Sequence, residues 1–196
     1  GILLKEASGI GLATPPSGSG FQGGRSKPSP GIRLFSFLIA KNSLPVTIEI
    51  DGRKIAFEAA STAVFNADSI TRPQPPAAPD LSGDTTTVPL VKLVWGRSGD
   101  KGDKANIGLI ARKPEYLPLV WASLTEEVVA SRFAHFLEGK TERFLMPAPN
   151  AINFLLHDAL GGGGVASLRN DAQGKGFASL LLDQPVEVPI ELARNL

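Results

Sequence analysis

Apolar and polar side chains alternate over residues 46–50, and the β-prone run RKIAFEA follows after Asp51 and Gly52. An Asp-Gly pair between two such runs is typical of a tight hairpin turn. The pattern therefore predicts a β-hairpin over about 46–58. Because an isolated hairpin is marginally stable in water, we expect another layer of protein to cover it.

A second apolar run precedes this hairpin. Its large apolar side chains are Ile32, Leu34, Phe35, Phe37, Leu38 and Ile39. A nearly continuous apolar run is typical of a strand that is buried on both faces. We therefore expect this chain to be an oligomer, most simply a homo-oligomer, or to pack against a part of the protein that the sequence does not contain.

Residues 71–89 (TRPQPPAAPDLSGDTTTVP) carry five prolines and show no apolar periodicity. This composition predicts an extended linker with a stiff, polyproline-like first half. We expect the linker to separate a segment of a larger domain (residues 1–70) from a second unit over residues 90–190.

The second unit has a mixed pattern of apolar periodicities. Strands are predicted over 90–95, 106–112, 142–147 and 178–188, and helices over about 124–138 and 150–160. The first helix begins at the capping pattern Ser123-x-x-Glu126 and ends at Gly139, whereas Pro118 restricts the preceding segment to one turn. The order β-β-α-β-α-β predicts an α+β fold with two helices on one face of a sheet.

Composition excludes several classes of function. The 20 Lys and Arg residues balance 19 Asp and Glu residues, which argues against nucleic-acid and anionic-membrane partners. With no cysteine and two histidines, the chain lacks the usual ligand set for a metal site, and we expect none. No apolar segment is long enough for a membrane helix. The absence of cysteine makes a reducing compartment the default, and we expect a cytoplasmic location.

The densest chemical motif is RSGDKGDKAN, residues 97–106. Its glycines would let backbone N–H groups face an anion, and Arg97, Lys101 and Lys104 could hold a phosphate or carboxylate. Asp100 or Asp103 could act as a base. A solvated hairpin loop has the same composition, so both interpretations stay open.

The predicted second helix carries Asn150, Asn153 and His157 within one narrow arc. Such a stripe of amides and an imidazole suits a ligand-facing surface, and the helix dipole would favour protonated His157 in the last turn. In the alternative, Asn150 caps the helix and the other two side chains face solvent.

Four glycines, residues 161–164, follow this predicted helix. Phosphate-binding glycine loops precede a helix, so this segment is neither a Walker loop nor a dinucleotide loop. Close approach of a ligand to the backbone near Gly162, or a flexible connector, would each explain the run. No Gly-x-Ser-x-Gly nucleophile elbow is present.

Three motifs in this order carry a resemblance to a known family: RSGDKGDKANIGLIAR, ASLTEEVVASRFAH, and NAINFLLHDALGGGG followed by SLRNDAQGK. Together they resemble the C-terminal, ferredoxin-like domain of the acyclic terpene utilisation protein A (AtuA-like) family, over roughly residues 90–185. The upstream stretch GIGLATPPSGSGFQGGRSKPSPGIRLFSFLIAK is similar to the end of the same family's larger N-terminal domain. We therefore expect a C-terminal fragment whose partner is the missing N-terminal domain or a second subunit.

The resemblance implies a role in breakdown of acyclic terpenes through acyl-CoA intermediates, and it supplies no catalytic set. A coenzyme A thioester is then the expected ligand, with no resident cofactor. The candidate ligand-binding residues are Arg97, Ser98, Gly99, Lys101, Asn106, Asn153 and Gly162, and the candidate catalytic residues are Asp100 and His157. The alternative is a non-catalytic domain that docks its N-terminal domain or another subunit.

Overall fold

A computed structural model describes residues 30–32, 35–57 and 66–196, together with Ile2, Lys5 and Glu6. By contacts the chain forms two compact units, residues 1–33 and 34–196. The predicted doubly buried strand is wrong where it can be examined. Residues 35–40 form no strand, and Phe35 and Leu38 are exposed. Leu34 and most of the upstream stretch lie outside the described residues.

The predicted hairpin is confirmed. Strands β1 (Thr47–Ile50) and β2 (Arg53–Ala56) pair antiparallel, with Ile48 opposite Ile55. Both turn residues have positive φ, 48° at Asp51 and 74° at Gly52. A two-residue turn whose twist matches the strands requires this conformation, and Asp-Gly adopts it readily.

The rest of the regular structure lies in the fully described region 66–196. Its strands are β3 (Thr85–Pro89), β4 (Val94–Lys101), β5 (Lys104–Ala111), β6 (Thr141–Met146), β7 (Ala151–Leu156) and β8 (Pro185–Pro189). Its α-helices are α1 (Leu117–Ser123), α2 (Glu126–Arg132), α3 (Phe177–Leu182) and α4 (Ile190–Ala193). Single 3₁₀ turns lie at Lys41–Ser43, Ala67–Ser69, Leu90–Lys92 and Pro114–Tyr116.

The main sheet has the strand order β4-β5-β7-β6 and is antiparallel throughout, and β3 pairs with β8 in a second, two-stranded sheet. One face of the main sheet carries buried side chains such as Ile107, Leu109 and Phe154. The helices α2 and α3 pack on this core face, since α2 contacts β6 and α3 contacts β4 and β5. The predicted α+β class, with helices on one face, is therefore confirmed.

Several predicted boundaries shift. The last five residues of the predicted linker form β3, because Thr85–Pro89 supplies the antiparallel partner of β8. The strand predicted over 90–95 begins only at Val94, after the 3₁₀ turn. Pro118 does not limit its segment to one turn, because it lies in the first turn of α1, where a missing N–H costs nothing.

The helix α2 is shorter than predicted. Its N-cap is Thr125 rather than Ser123, and the Thr125 hydroxyl accepts a 3.3 Å hydrogen bond from the N–H of Val128. The regular helix ends at Arg132, and Phe133 and Phe136 continue into turns that pack on Phe177.

The predicted helix over 150–160 is wrong, and the segment forms the central strand β7 between β5 and β6. Ile152 and Phe154 face the core, whereas Asn153 and Leu155 lie on the other face. The strand predicted over 178–188 is correct only in its second half, because Phe177–Leu182 forms α3 and Pro185 begins β8. Pro185 at the start of a strand loses no ladder hydrogen bond that the strand needs.

The second face of the main sheet, which we call the open face, carries none of the described helices. The side chains that alternate onto it are Trp95, Arg97, Lys101, Asn106, Ile110, Asn153, Leu155, Glu142, Phe144 and Met146. Gly99 and Gly108 occupy two further positions of this face. Trp95, Ile110 and Met146 are 54%, 45% and 46% exposed.

Candidate functional site

The RSGDKGD motif is not a loop, as predicted, but the tip of a two-stranded ribbon. Strands β4 and β5 continue to Lys101 and Lys104, which pair across the two-residue turn Gly102-Asp103. Gly102 has a φ of 69°, which glycine adopts without steric cost at the first position of such a turn. A motif that alternates along a strand must divide its side chains between the two faces.

This alternation separates the charges of the motif. Arg97, Gly99 and Lys101 lie on the open face, whereas Ser98 and Asp100 lie on the opposite side of β4. The open face of the ribbon is consequently cationic, although the motif as a whole is nearly neutral. Composition alone could not show this separation, because it depends on strand register.

A chain of hydrogen bonds crosses the open face from β4 to β7. The Lys101 ammonium donates to Oδ1 of Asn106 at 3.0 Å, and Nδ2 of Asn106 donates to Oδ1 of Asn153 at 3.0 Å. A Cβ on Gly108 would lie 4.0 Å from Oδ1 of Asn153, so the glycine leaves this amide accessible. The amides thereby fix the position of an ammonium group whose remaining protons point away from the network.

A shallow cleft of about 280 Å³ lies beside this network. Arg97 and Asn153 contribute its polar groups, and Trp95, Ile110 and Met146 contribute apolar surface. The guanidinium of Arg112 stacks over the Trp95 ring at 4.9 Å, which holds the indole against the sheet. The cleft thus combines a cationic edge with an apolar floor.

Lys175 joins the open face from a distant part of the chain, and the candidate residues from the sequence did not include it. Its ammonium lies 3.2 Å from the position that a Cβ on Gly99 would occupy. Only a residue without a side chain at position 99 allows this approach. The local pattern Asp171-x-x-x-Lys175-Gly176 was the one signal in the sequence that could have pointed to it.

Ser98 does not contribute to the open face, contrary to its predicted ligand role. It is only 5% exposed, and its hydroxyl donates to the carbonyl of Lys175 at 3.1 Å and accepts from the N–H of Ala178 at 2.9 Å. Both functions of the hydroxyl are therefore used to attach β4 to the start of α3.

Gly162 also lies apart from the open face. The Asp103 carboxylate accepts hydrogen bonds from the N–H groups of Gly162 at 2.8 Å and Gly163 at 3.2 Å. These residues line a separate cleft of about 580 Å³ that also includes Asp100 and Gly164. The structure therefore brings together Arg97, Gly99, Lys101, Asn106 and Asn153, and it places Ser98 and Gly162 elsewhere.

The two candidate catalytic residues do not meet. Asp100 lines the tetraglycine cleft, whereas Nε2 of His157 lies 2.5 Å from Oε2 of Glu142. His157 follows the end of a strand, so the helix-dipole argument for its protonation does not apply. Hydrogen bonds from Lys140 and then from His157 lower the pKa of the Glu142 carboxyl.

Comparison with known families assigns the second unit. The family model described as the AtuA ferredoxin-like domain matches residues 88–187, about half of the chain. The chain therefore belongs to the family that carries this domain. Searches of curated proteins and of solved structures return no match.

Two further features of the described residues bear on the site. None of their helices has the length and apolar content that spanning a membrane requires. Among the same residues, no group of three or more His, Asp or Glu side chains is arranged to hold a metal ion.

Proposed function

We propose that this protein acts in the breakdown of acyclic terpenes or of branched acyl-CoA intermediates, and that the open face binds an anionic acyl thioester. The observation that carries the proposal is the polar row Lys101–Asn106–Asn153 with Arg97 beside it, adjoining apolar surface. Membership of the AtuA-like family supports the pathway class.

The chemistry of the cleft suits an amphiphilic anion. Guanidinium and ammonium groups form charge-assisted hydrogen bonds with phosphate or carboxylate oxygens. The indole of Trp95 and the side chains of Ile110 and Met146 offer apolar contact to a branched acyl chain. Neither half alone would select a terpenoid thioester from other anions or from other lipids.

Calorimetric titration of the chain with a coenzyme A thioester of a branched terpenoid acid tests the proposal. Arg97→Ala should weaken binding by about 1.5–3 kcal/mol, the scale of a hydrogen bond to a charged group. Arg53→Ala on the exposed β1–β2 ribbon is the matched control and should bind like the wild type. Absence of binding by the wild-type chain would contradict the proposal.

A second candidate function is docking of another domain or subunit, which the exposed Trp95, Ile110 and Met146 favour. In either case we propose a cytoplasmic protein, since no cysteine is present, and an oligomer, since Phe35, Phe37 and Leu38 are exposed. Analytical ultracentrifugation separates the candidates. A stable oligomer in which Trp95 is quenched or protected, with no thioester binding, would favour docking.

A further inference from the structure

The open face carries more positive charge than a single carboxylate requires. We infer that it takes a ligand with a diphosphate group along the edge strand β4, and that Lys175 is the third cationic contact beside Arg97 and Lys101. This inference rests on the proposed function and specifies the class of its ligand.

The spacing of the three cations follows from strand geometry. Arg97, Gly99 and Lys101 occupy successive positions on one face of β4, about 6.6 Å apart because a strand rises about 3.3 Å per residue. The Lys175 ammonium lies over the middle position, 3.2 Å from where a Cβ on Gly99 would be. Three cationic groups therefore follow one another over about 13 Å of strand edge.

The backbone beside Lys175 is held firmly although its side chain is exposed. The Asp171 carboxylate accepts hydrogen bonds from the N–H groups of Lys175 at 2.8 Å and Gly176 at 2.7 Å. The Ser98 hydroxyl accepts one from Ala178 and donates one to the Lys175 carbonyl. This arrangement directs the lysine stem across the edge strand and reduces the conformational entropy that ligand binding would otherwise remove.

The acidic residues of the motif do not neutralise this edge. Among the described residues, none of the three cations forms an ion pair with a carboxylate. Asp103 accepts hydrogen bonds from the glycine segment, and Asp100 lies at the separate tetraglycine cleft. A diphosphate carries enough charge and enough acceptor oxygens to contact all three groups, whereas one carboxylate does not.

The direction of the ligand also follows from β4. Trp95 precedes Arg97 on the same face, so the apolar surface lies at one end of the row and Lys101 at the other. An amphiphile would therefore lie with its acyl chain over Trp95 and its diphosphate toward Lys175 and Lys101.

The test compares three probes by calorimetry: a coenzyme A thioester of a branched terpenoid acid, the pantetheine thioester of the same acid, and inorganic diphosphate. Lys175→Met should weaken the coenzyme A thioester and diphosphate by about tenfold or more, the scale of one charge-assisted contact, and leave the pantetheine thioester unchanged. Lys175→Arg should restore most of the affinity. Lys92→Met, at an exposed lysine of the 3₁₀ turn, is the control.

Gly99→Ala provides an independent variant, because the new Cβ would displace the Lys175 ammonium without altering any charge. It should weaken diphosphate binding while the melting temperature stays close to that of the wild type. A Gly99→Ala chain that binds diphosphate like the wild type would contradict the assigned position of Lys175.

The outcomes separate the inference from the proposed function. Diphosphate binding that depends on Lys175, without binding of either thioester, would support the inference and contradict the proposed function. Thioester binding that Lys175→Met leaves unchanged, or weakens equally for both thioesters, would overturn the inference and leave the proposed function standing. A wild-type chain that binds none of the probes would overturn both.

Discussion

Nδ2 of Asn106 on β5 donates a hydrogen bond to Oδ1 of Asn153 on β7, with a length of 3.0 Å. Asn106 in turn accepts from the Lys101 ammonium, so its carbonyl oxygen and its amino group are both used. This orientation of the two amides is the only one that lets a lysine donate to the first and the first donate to the second. The pair therefore couples the cationic edge strand to the centre of the sheet.

Breaking this pair should cost stability in a way that a double-mutant cycle resolves. Asn106→Ala and Asn153→Ala should show a coupling free energy of about 0.5–1.5 kcal/mol in urea unfolding, since each single variant already removes the shared hydrogen bond. Additive single effects would contradict the coupling. Asn170→Ala, at an exposed loop position, should couple to neither residue.

Ser98→Ala should destabilise the fold by about 1–3 kcal/mol, because it leaves the N–H of Ala178 and the carbonyl of Lys175 without their partner in a buried position. Urea unfolding measures the effect. Ser179→Ala, at an exposed position of α3, is the matched control and should change stability by less than about 0.5 kcal/mol. Equal stabilities of the two variants would show that the hydroxyl does not attach β4 to α3.

Gly139→Ala should be among the most disruptive glycine substitutions. Its Cβ would lie 2.6 Å from the carbonyl oxygen of His157 and 2.7 Å from Oδ2 of Asp158, so the backbone must move. We expect a loss of about 3 kcal/mol in chemical unfolding. Gly83→Ala, where nothing lies within 4 Å of the new Cβ, should be nearly neutral.

Glu142 should contribute to the acid sensitivity of the protein. Hydrogen bonds from Lys140 and His157 lower its folded-state pKa below the ordinary value of 4.5. Its stabilising effect is therefore complete above pH 4.5 and disappears as the pH falls through the lower, folded-state pKa. Glu142→Gln should melt at a lower temperature than the wild type at neutral pH, and the difference should shrink at acid pH. Glu115→Gln, at an exposed position, should follow the wild-type profile; a constant difference for Glu142→Gln would contradict the assignment.

The second unit should fold alone if the chain is cut before β3. Leu81 packs against the core, and the carbonyl of Asp84 accepts from the N–H of Ile190, so both belong to the folded unit. A fragment of residues 80–196 should unfold cooperatively, whereas one of residues 90–196 lacks β3 and should melt more than about 5 °C lower. Calorimetric melting of both fragments checks this, and a non-cooperative trace for residues 80–196 would contradict it.

Local patterns determined a definite part of this protein. The Asp51-Gly52 turn was predictable because two residues with positive φ suffice to specify it, whatever surrounds them. The strand β6 was predictable within one residue, from an apolar run with clear boundaries. The RSGDKGD motif and its following segments indicated the family through residue order alone, and Arg97, Gly99, Lys101, Asn106 and Asn153 were candidates before their geometry was known.

Tertiary structure alone decided the rest. The segment AINFLL is apolar enough for a buried helix or a central strand, and pairing with β5 and β6 on both sides determined that it is β7. This strand places Asn153 beside Asn106, although 47 residues separate them. Lys175 reaches Gly99 because a hydrogen bond between residues 77 positions apart attaches its backbone to Ser98. Such contacts depend on the register and packing of distant segments, which no local pattern of side chains encodes.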